Sequence, residues 1–146
     1  MGDIIYEPWK MTIAFFFDFI VGALWFSPVM FSKPWMKAVG IKKEDAEKHK
    51  DVNVINLLLL QASINALTIL IHTYLMVHLN PETLSECLIM SFLVWVGFTA
   101  SAIMGPILWE GKPINYFLIN SSWRLLSVMV YSFFYFITSS LNIQSI

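Results

Sequence analysis

Several features of ordinary soluble and secreted domains are scarce in this sequence. Asp, Glu, Lys and Arg make up 13% of the 146 residues, about half the usual fraction in a soluble domain. The only cysteine is Cys87, so no disulfide can form within the chain. The formal net charge is -1, and such a charge argues against a broad basic surface for nucleic acid. The composition therefore excludes a disulfide-stabilised scaffold and predicts no nucleic-acid partner.

The sequence also lacks the motifs of enzymes and metal sites. His72, His78 and Cys87 do not have the spacing of metal ligands. There is no glycine-rich phosphate loop and no nucleophile elbow. We therefore predict no catalytic residue, no metal and no cofactor, and an enzyme is the least favoured class of function.

Long apolar segments are what the sequence has in abundance. Hydrophobic residues make up 58% of the chain, with 12 Phe, 6 Trp and 5 Tyr. Residues 53–79 contain no Asp, Glu, Lys or Arg. A helix of about 27 residues is roughly 40 Å long, whereas the hydrocarbon core of a bilayer is about 30 Å thick. This segment predicts a membrane-spanning helix, around which we expect the rest of the chain to be arranged.

Three further apolar segments complete the predicted architecture. The predicted fold class is all-α, an integral membrane four-helix bundle of up-down topology with a short interfacial helical segment between helices 1 and 2. A single transmembrane domain covers residues 1–146, with spans at about 11–31, 53–79, 83–109 and 114–137. Pro28 is expected in the last turns of the first span, and Asn80 is expected to cap the third span ahead of Pro81. The polar loop 32–52 contains a charged run at 42–51 that should be solvated.

The distribution of lysines predicts the orientation of the bundle. Loop 32–52 carries six lysines, and Lys112 lies in the turn between the third and fourth spans, on the same face. The opposite face has only Lys10. Because positively charged loops stay on the cytoplasmic side, we expect both termini outside and loop 32–52 in the cytoplasm or its organellar equivalent.

Polar side chains recur at helical spacing on the second and fourth spans. The spacing i, i+4, i+7, i+11 places each set within a narrow arc of its helix. Unpaired amides cost several kcal/mol each in hydrocarbon, so both sets should face protein or water. The predicted intramembrane polar cluster consists of Gln61, Asn65, Thr68 and His72 on the second span, Asn120, Arg124, Ser127 and Tyr131 on the fourth, and Asp18 on the first.

Three interpretations of this cluster stay open. Charges inside a membrane are rare and normally partnered, and helical rise places Asp18 near the depth of His72, with Arg124 about 9 Å deeper. Asp18, His72 and Arg124 either only hold the helices in register, line a permeation or proton-relay path, or recognise a ligand. Along a path, Asp18 would hold a cation or proton, His72 would relay it and Arg124 would set the charge balance. We favour an oligomeric channel- or transporter-like bundle, and the alternative is a non-catalytic structural or assembly subunit of a larger membrane complex.

Small residues on the third span predict close helix packing. Gly97, Ser101 and Gly105 stand at four-residue intervals and would form a groove that lets another helix approach. The groove predicts packing within the bundle or between subunits. We therefore expect the lipid bilayer as the surroundings, and a homo-oligomer or a larger membrane complex as the assembly.

Four stretches of the chain resemble a known family. Residues 21–40, VGALWFSPVMFSKPWMKAVG, are similar to the opening signature of domain of unknown function 1761, a family of small four-span membrane proteins. Gly97-Phe98, residues 109–112 and residues 118–120 are similar to its second half. Phe26 and Ser32 stand where the family tends to have Tyr and Gly, and neither change disturbs the topology. The resemblance implies a fold and a membrane location, and it carries over no reaction, ligand or functional residue.

Overall fold

A computed structural model describes residues 8–41 and 54–143, with side chains at 12–41 and 55–139. The predicted charged run at 42–51 lies outside the described residues. Within them the chain is all-α, with five helices and no strand. The helices are α1 (Pro8–Trp25), α2 (Ser32–Val39), α3 (Val54–Leu79), α4 (Leu84–Trp109) and α5 (Ile114–Ile143).

The first helix ends earlier than predicted. α1 stops at Trp25, and the next residues form turns in which the Phe31 amide donates to the Trp25 carbonyl at 3.0 Å. Pro28 lacks an amide hydrogen and disfavours a helical conformation at Ser27, so it ends the helix instead of lying in its last turns. The prediction of one helix over 11–31 was wrong in this respect. The turns direct the chain into α2.

The second helix is fixed at its C-terminal end by its own cap and by a contact from the turn between α4 and α5. Gly40 adopts the left-handed conformation, φ 87°, and its amide donates to the Met36 carbonyl at 3.0 Å. A glycine is the usual residue at this position because it has no Cβ. The Lys112 ammonium group donates to the Val39 carbonyl at 3.0 Å. α2 is therefore fixed against the turn between α4 and α5.

The junction between α3 and α4 uses a different cap from the predicted one. Asn80 has a positive φ of 47° and ends α3. Thr83 is the N-cap, and its hydroxyl accepts a hydrogen bond from the Glu86 amide at 3.2 Å. The Glu86 carboxylate accepts from the Glu82 amide at 2.8 Å. The Thr-x-x-Glu pattern is that of a capping box, with the glutamate bonded to the amide of the residue before the N-cap. The helix therefore starts three residues after Pro81.

The third long helix contains one irregular turn. Residues Trp95–Ala100 of α4 form a π-helix, and regular α-helix resumes at Ser101. Such π-helical turns re-aim the side chains beside them. Here the Trp95 indole donates to the Ser121 carbonyl of α5 at 2.9 Å.

The last helix is the centre of the molecule. α5 packs against all four other helices, and α4 runs along it through all three of its segments. α5 also continues to Ile143, beyond the predicted end at 137. The approach of α1 depends on Gly22, because a Cβ there would lie 2.8 Å from Cζ2 of Trp123. The chain is thus arranged around α5 and not, as expected, around residues 53–79.

Two helices are long and apolar enough to cross a membrane, Ile55–Leu79 and Leu84–Trp109. Thr12–Trp25 is a shorter apolar helix. Only 17% of the most apolar window of each long helix is buried, so their leucines and isoleucines form an outer surface. In water, a contiguous apolar surface of this kind would be a site of association.

Candidate functional site

A cavity of about 620 Å³ lies at the end of the bundle that carries α2. Its wall comes from all five helices, with α2 at one end and Asp18, Asn65 and Arg124 as the residues farthest from α2 along their helices. No lining residue lies beyond Asn65 on α3 or beyond Arg124 on α5. The cavity therefore extends about halfway along the bundle and ends at ionisable side chains.

The carboxylate of Asp18 is buried and doubly hydrogen-bonded. Asp18 is 2% exposed. One of its oxygens accepts from the Ser127 hydroxyl at 2.5 Å, and the other accepts from the Asn65 amide at 3.0 Å. The Gln61 amide donates to the Asn65 oxygen at 2.7 Å, and Tyr131 also interacts with Asp18. One connected network thus joins α1, α3 and α5.

This network corrects the predicted depth of Asp18. Its carboxylate lies level with Asn65 and Ser127, about two turns from His72, whereas helical rise from the predicted ends had placed it near His72. The difference arises because α1 starts and ends several residues earlier than the predicted span. Asp18 and Arg124 therefore border the same cavity.

Arg124 has a different environment from Asp18. Its side chain is half-buried and lines the cavity. Among residues 12–41 and 55–139, no side chain or carbonyl accepts a hydrogen bond from its guanidinium group, and no carboxylate forms an ion pair with it. Asp18 is instead hydrogen-bonded to uncharged side chains. The cavity is therefore bordered by a carboxyl group that is hydrogen-bonded within the bundle and by a guanidinium group that has no hydrogen-bond acceptor among the described residues.

Aromatic side chains form much of the wall between α2 and these charges. The Trp35 indole donates to the side-chain oxygen of Asn120 at 3.3 Å, and the Asn120 amide donates to the Tyr116 carbonyl at 2.7 Å. The Phe26 ring packs edge-on against Trp35 and Trp123, with centroid separations of 5.8 and 6.3 Å. These contacts give the cavity an aromatic, largely apolar wall with a few fixed polar groups.

A second polar cluster lies in the other half of the bundle. The His72 ring nitrogen Nε2 and the Ser91 hydroxyl are 2.8 Å apart, and Ser91 is hydrogen-bonded to Ser132. Ser132 also donates to the Cys87 carbonyl at 3.3 Å. His72 packs edge-on against Tyr131 with a centroid separation of 5.9 Å. Because His72 is 4% exposed and both serines are 0% exposed, this cluster joins α3, α4 and α5 away from solvent.

The predicted polar cluster is brought together only in part. Asn65 and His72 of α3, and Ser127 and Tyr131 of α5, are buried between helices. Gln61 is exposed, although it borders the cavity. Thr68 is half-buried, and its hydroxyl donates to the Ile64 carbonyl of its own helix at 2.9 Å. Thr68 therefore takes no part in the interhelical network.

The predicted groove on α4 is open. A Cβ at Gly97 or Gly105 would meet no other atom within 4 Å. Ser101 is exposed, and its hydroxyl donates to the Gly97 carbonyl at 2.6 Å. Among the described residues no helix packs into this groove, and packing between subunits stays a prediction.

Sequence reasoning missed Ser91, Ser132 and the tryptophan donors. Cys87 and Ser91 lie four residues apart among apolar neighbours, and that spacing was a usable signal for a buried face of α4. The indoles of Trp25 and Trp95 donate to the carbonyls of Ile119 and Ser121 on α5. Tryptophan is enriched at membrane boundaries, so no local pattern marks it as an interhelical donor.

The comparisons with known proteins identify a family without an assigned activity. Among the described residues, no three His, Cys, Asp or Glu side chains are grouped so that they could hold a metal ion. No curated protein and no solved structure matches the chain. The family described as Protein of unknown function (DUF1761) matches residues 9–136, which confirms the resemblance seen in the sequence. The chain belongs to this family.

Proposed function

We propose that the protein is an integral membrane bundle of channel or transporter type, in which α1, α3, α4 and α5 cross the bilayer. The apolar outer surface supports this proposal, with Phe16, Leu59 and Phe133 at 58%, 61% and 46% exposure. Exposed side chains of this size are stable in lipid and unfavourable in water. The outward apolar faces of α1 and α5 give these helices the same surroundings as α3 and α4.

The polarity of α5 is consistent with a membrane span. Ser127 and Tyr131 are 4% exposed, whereas Leu118, Phe133 and Ile137 face outward. A span that lines a cavity is expected to have polar groups on one face only. The average hydropathy of such a helix is low because its inner face is polar.

The single observation that carries a transport role is the cavity that ends at Asp18. A buried ionisable group inside a membrane protein is a default functional site. In the proposed mechanism a small solute enters from the α2 end, and Asp18 takes up or releases a proton. Tyr131 interacts with both Asp18 and His72, so His72 would relay that proton toward the other half of the bundle. Arg124 would balance the charge.

The cavity favours a transporter over an open channel. Its lining ends at Asp18, Asn65 and Arg124, and the cluster around His72 lies beyond that level without bordering it. A path that is open at one end requires a conformational change before a solute can leave at the other end. The proposal includes no catalytic step and no cofactor.

The orientation and assembly belong to the same proposal. The positive-inside rule supports a cytoplasmic position for the α2 end and outside positions for both termini. Lys112 supports this view because its contact with Val39 keeps the α4–α5 turn beside α2. The open groove at Gly97 and Gly105 supports association of copies within the bilayer.

The test measures proton movement. Purified full-length protein is reconstituted into liposomes that contain a pH-sensitive dye, and an imposed membrane potential drives protons inward. We expect wild-type vesicles to acidify faster than protein-free vesicles, and Asp18→Asn to remove most of this difference because an amide cannot carry the proton. Glu86→Gln is the matched control, since Glu86 is an exposed carboxylate at the start of α4. Equal acidification with and without wild-type protein would reject the proposal.

A structural or assembly subunit is the second candidate. It is favoured by the complete satisfaction of Asp18 through Asn65 and Ser127, which is what a purely structural lock would require. In that case Asp18→Asn would loosen the bundle, and the wild-type protein would pass no protons in the liposome assay.

A further inference from the structure

The charged groups beside the cavity indicate a class of ligand that the transport proposal does not specify. Asp18 accepts hydrogen bonds from the uncharged side chains of Asn65 and Ser127, whereas the Arg124 guanidinium makes no hydrogen bond or ion pair with residues 12–41 and 55–139. A charge held in a poorly hydrated site is stabilised by a counter-charge or by hydrogen bonds. Among the described residues that line the cavity, the charged group without a hydrogen bond or ion pair is therefore the Arg124 guanidinium.

The geometry of the guanidinium group defines the complementary chemistry. Its planar set of N–H donors matches the oxygens of a carboxylate or a phosphate, and it can bind either of them through two parallel hydrogen bonds. Asn120 and Gln61 border the same cavity and can add neutral hydrogen bonds. An anionic group beside Arg124 would thus be held by charge and by amides.

The rest of the wall defines the body of the ligand. Phe19, Phe26, Trp35, Met36 and Trp123 border the space between α2 and Arg124. Aromatic and aliphatic walls bind apolar groups, and about 620 Å³ lies within the usual range of small-molecule sites, about 300–1,000 Å³. The site fits a molecule with an apolar body and one charged end.

We propose that the cavity binds a small organic anion, with its anionic group on Arg124 and its apolar body against the aromatic wall. This inference rests on the proposed function, because it names the class of solute for the same cavity. The same anionic chemistry is available from a soluble carboxylate or from the headgroup of an anionic lipid.

Equilibrium binding tests the inference independently of transport. The full chain is placed in phosphatidylcholine nanodiscs, and benzoate is titrated while the fluorescence of the tryptophans is recorded. Benzamide, which has the same shape without the charge, is the matched probe. We expect benzoate to bind and benzamide to bind at least about tenfold more weakly, since only the carboxylate can form charge-assisted hydrogen bonds with the guanidinium group.

Substitutions test whether the anion binds in the cavity. Arg124→Gln should weaken benzoate binding by about ten- to a hundredfold, and Arg124→Lys should weaken it less because the charge remains. Asp18→Asn should tighten it, because a negative charge at the same end of the cavity is removed. Lys37→Gln is the matched control, since Lys37 is an exposed cation on α2 that does not line the cavity.

The outcomes distinguish a lipid headgroup from a soluble anion. They also test the transport proposal and the anion proposal separately. Competition by added phosphatidylglycerol that depends on Arg124 identifies a lipid headgroup, and its absence identifies a soluble anion. Equal binding of benzoate and benzamide by wild-type protein would overturn the inference, even if Arg124→Gln does not fold. Unchanged benzoate binding in a folded Arg124→Gln variant would also overturn it. Binding without proton movement would reject transport alone, and proton movement without benzoate binding would reject the anion alone.

Discussion

The two halves of the bundle place the same kinds of side chain in opposite settings. In the half that carries α2, here called the open half, Asp18, Asn65 and Arg124 border a cavity of about 620 Å³. In the other half, here called the closed half, His72 and Ser91 are 4% and 0% exposed and do not border it. Both halves join helices through polar groups. What differs is that the first half also has less buried polar groups beside the cavity, Arg124 and Asn120, although Asp18 itself is as buried as His72, at 2% and 4% exposure.

Access determines what a polar group can do. In the closed half, His72, Ser91 and Ser132 are hydrogen-bonded to one another and to the Cys87 carbonyl, so the cluster specifies how α3, α4 and α5 pack. At the less buried cavity groups of the open half, such as Asn120 and Arg124, a solute or water can replace a lost protein partner, so a substitution there should change binding more than stability. Three substitutions test this distinction.

The largest loss of stability is expected in the closed half. Ser132→Leu would add three carbon atoms at a position with 0% exposure and remove the hydrogen bonds to Ser91 and the Cys87 carbonyl. Overpacking and loss of the buried hydrogen bonds together should lower the free energy of unfolding by about 3 kcal/mol. The measurement is denaturation of the detergent-solubilised protein by sodium dodecyl sulfate.

Ser122→Leu is the matched control, because Ser122 is exposed on the same helix. We expect it to leave the free energy of unfolding nearly unchanged, since the detergent around the protein accommodates an exposed leucine. If Ser132→Leu and Ser122→Leu lower the free energy of unfolding equally, the cluster around His72 is not more tightly packed than the exposed face of α5.

A smaller loss of stability is expected at Gly22, where α1 and α5 pack closely within the open half. Gly22 borders the cavity, but an added Cβ would lie 2.8 Å from the Trp123 ring. Gly22→Ala should therefore force α1 and α5 apart and lower the free energy of unfolding by about 1–3 kcal/mol. Gly105→Ala is the control, because its Cβ would meet nothing within 4 Å. If both alanines have the same effect, only helix propensity is being measured.

The sequence predicted the helical class and the inward direction of several polar residues, because both follow from local periodicity. Asn65 and Ser127 could be placed on inner faces by spacing alone, and both are buried. The depth of Asp18 could not be predicted, since it depends on where Pro28 ends α1. A shift of a few residues in a helix end moves a side chain by about one turn.

The pairing of Ser91 with Ser132 could not be predicted for a different reason. Ser91 and Ser132 are single small residues on α4 and α5, and only the packing of these helices makes them hydrogen-bonding partners. The central position of α5 is likewise a property of the assembled fold. Its polar face lowers its hydropathy, so residues 53–79 were the stronger signal although they pack less extensively.

The smallest effect is expected from Trp35→Phe in the wall of the cavity. The substitution keeps an aromatic ring near Phe26 and removes the indole donor to Asn120. Interhelical hydrogen bonds in membrane proteins contribute about 0.6 kcal/mol on average, and Asn120 borders a cavity where a solute can replace the donor. We expect the free energy of unfolding to fall by no more than about this amount. Trp109→Phe is the control, because Trp109 is 88% exposed and lies outside the cavity wall. If Trp35→Phe lowers the free energy of unfolding as much as Ser132→Leu, the open half depends on its hydrogen bonds as strongly as the closed half does. The two halves would then not differ in whether a solute can replace a protein partner.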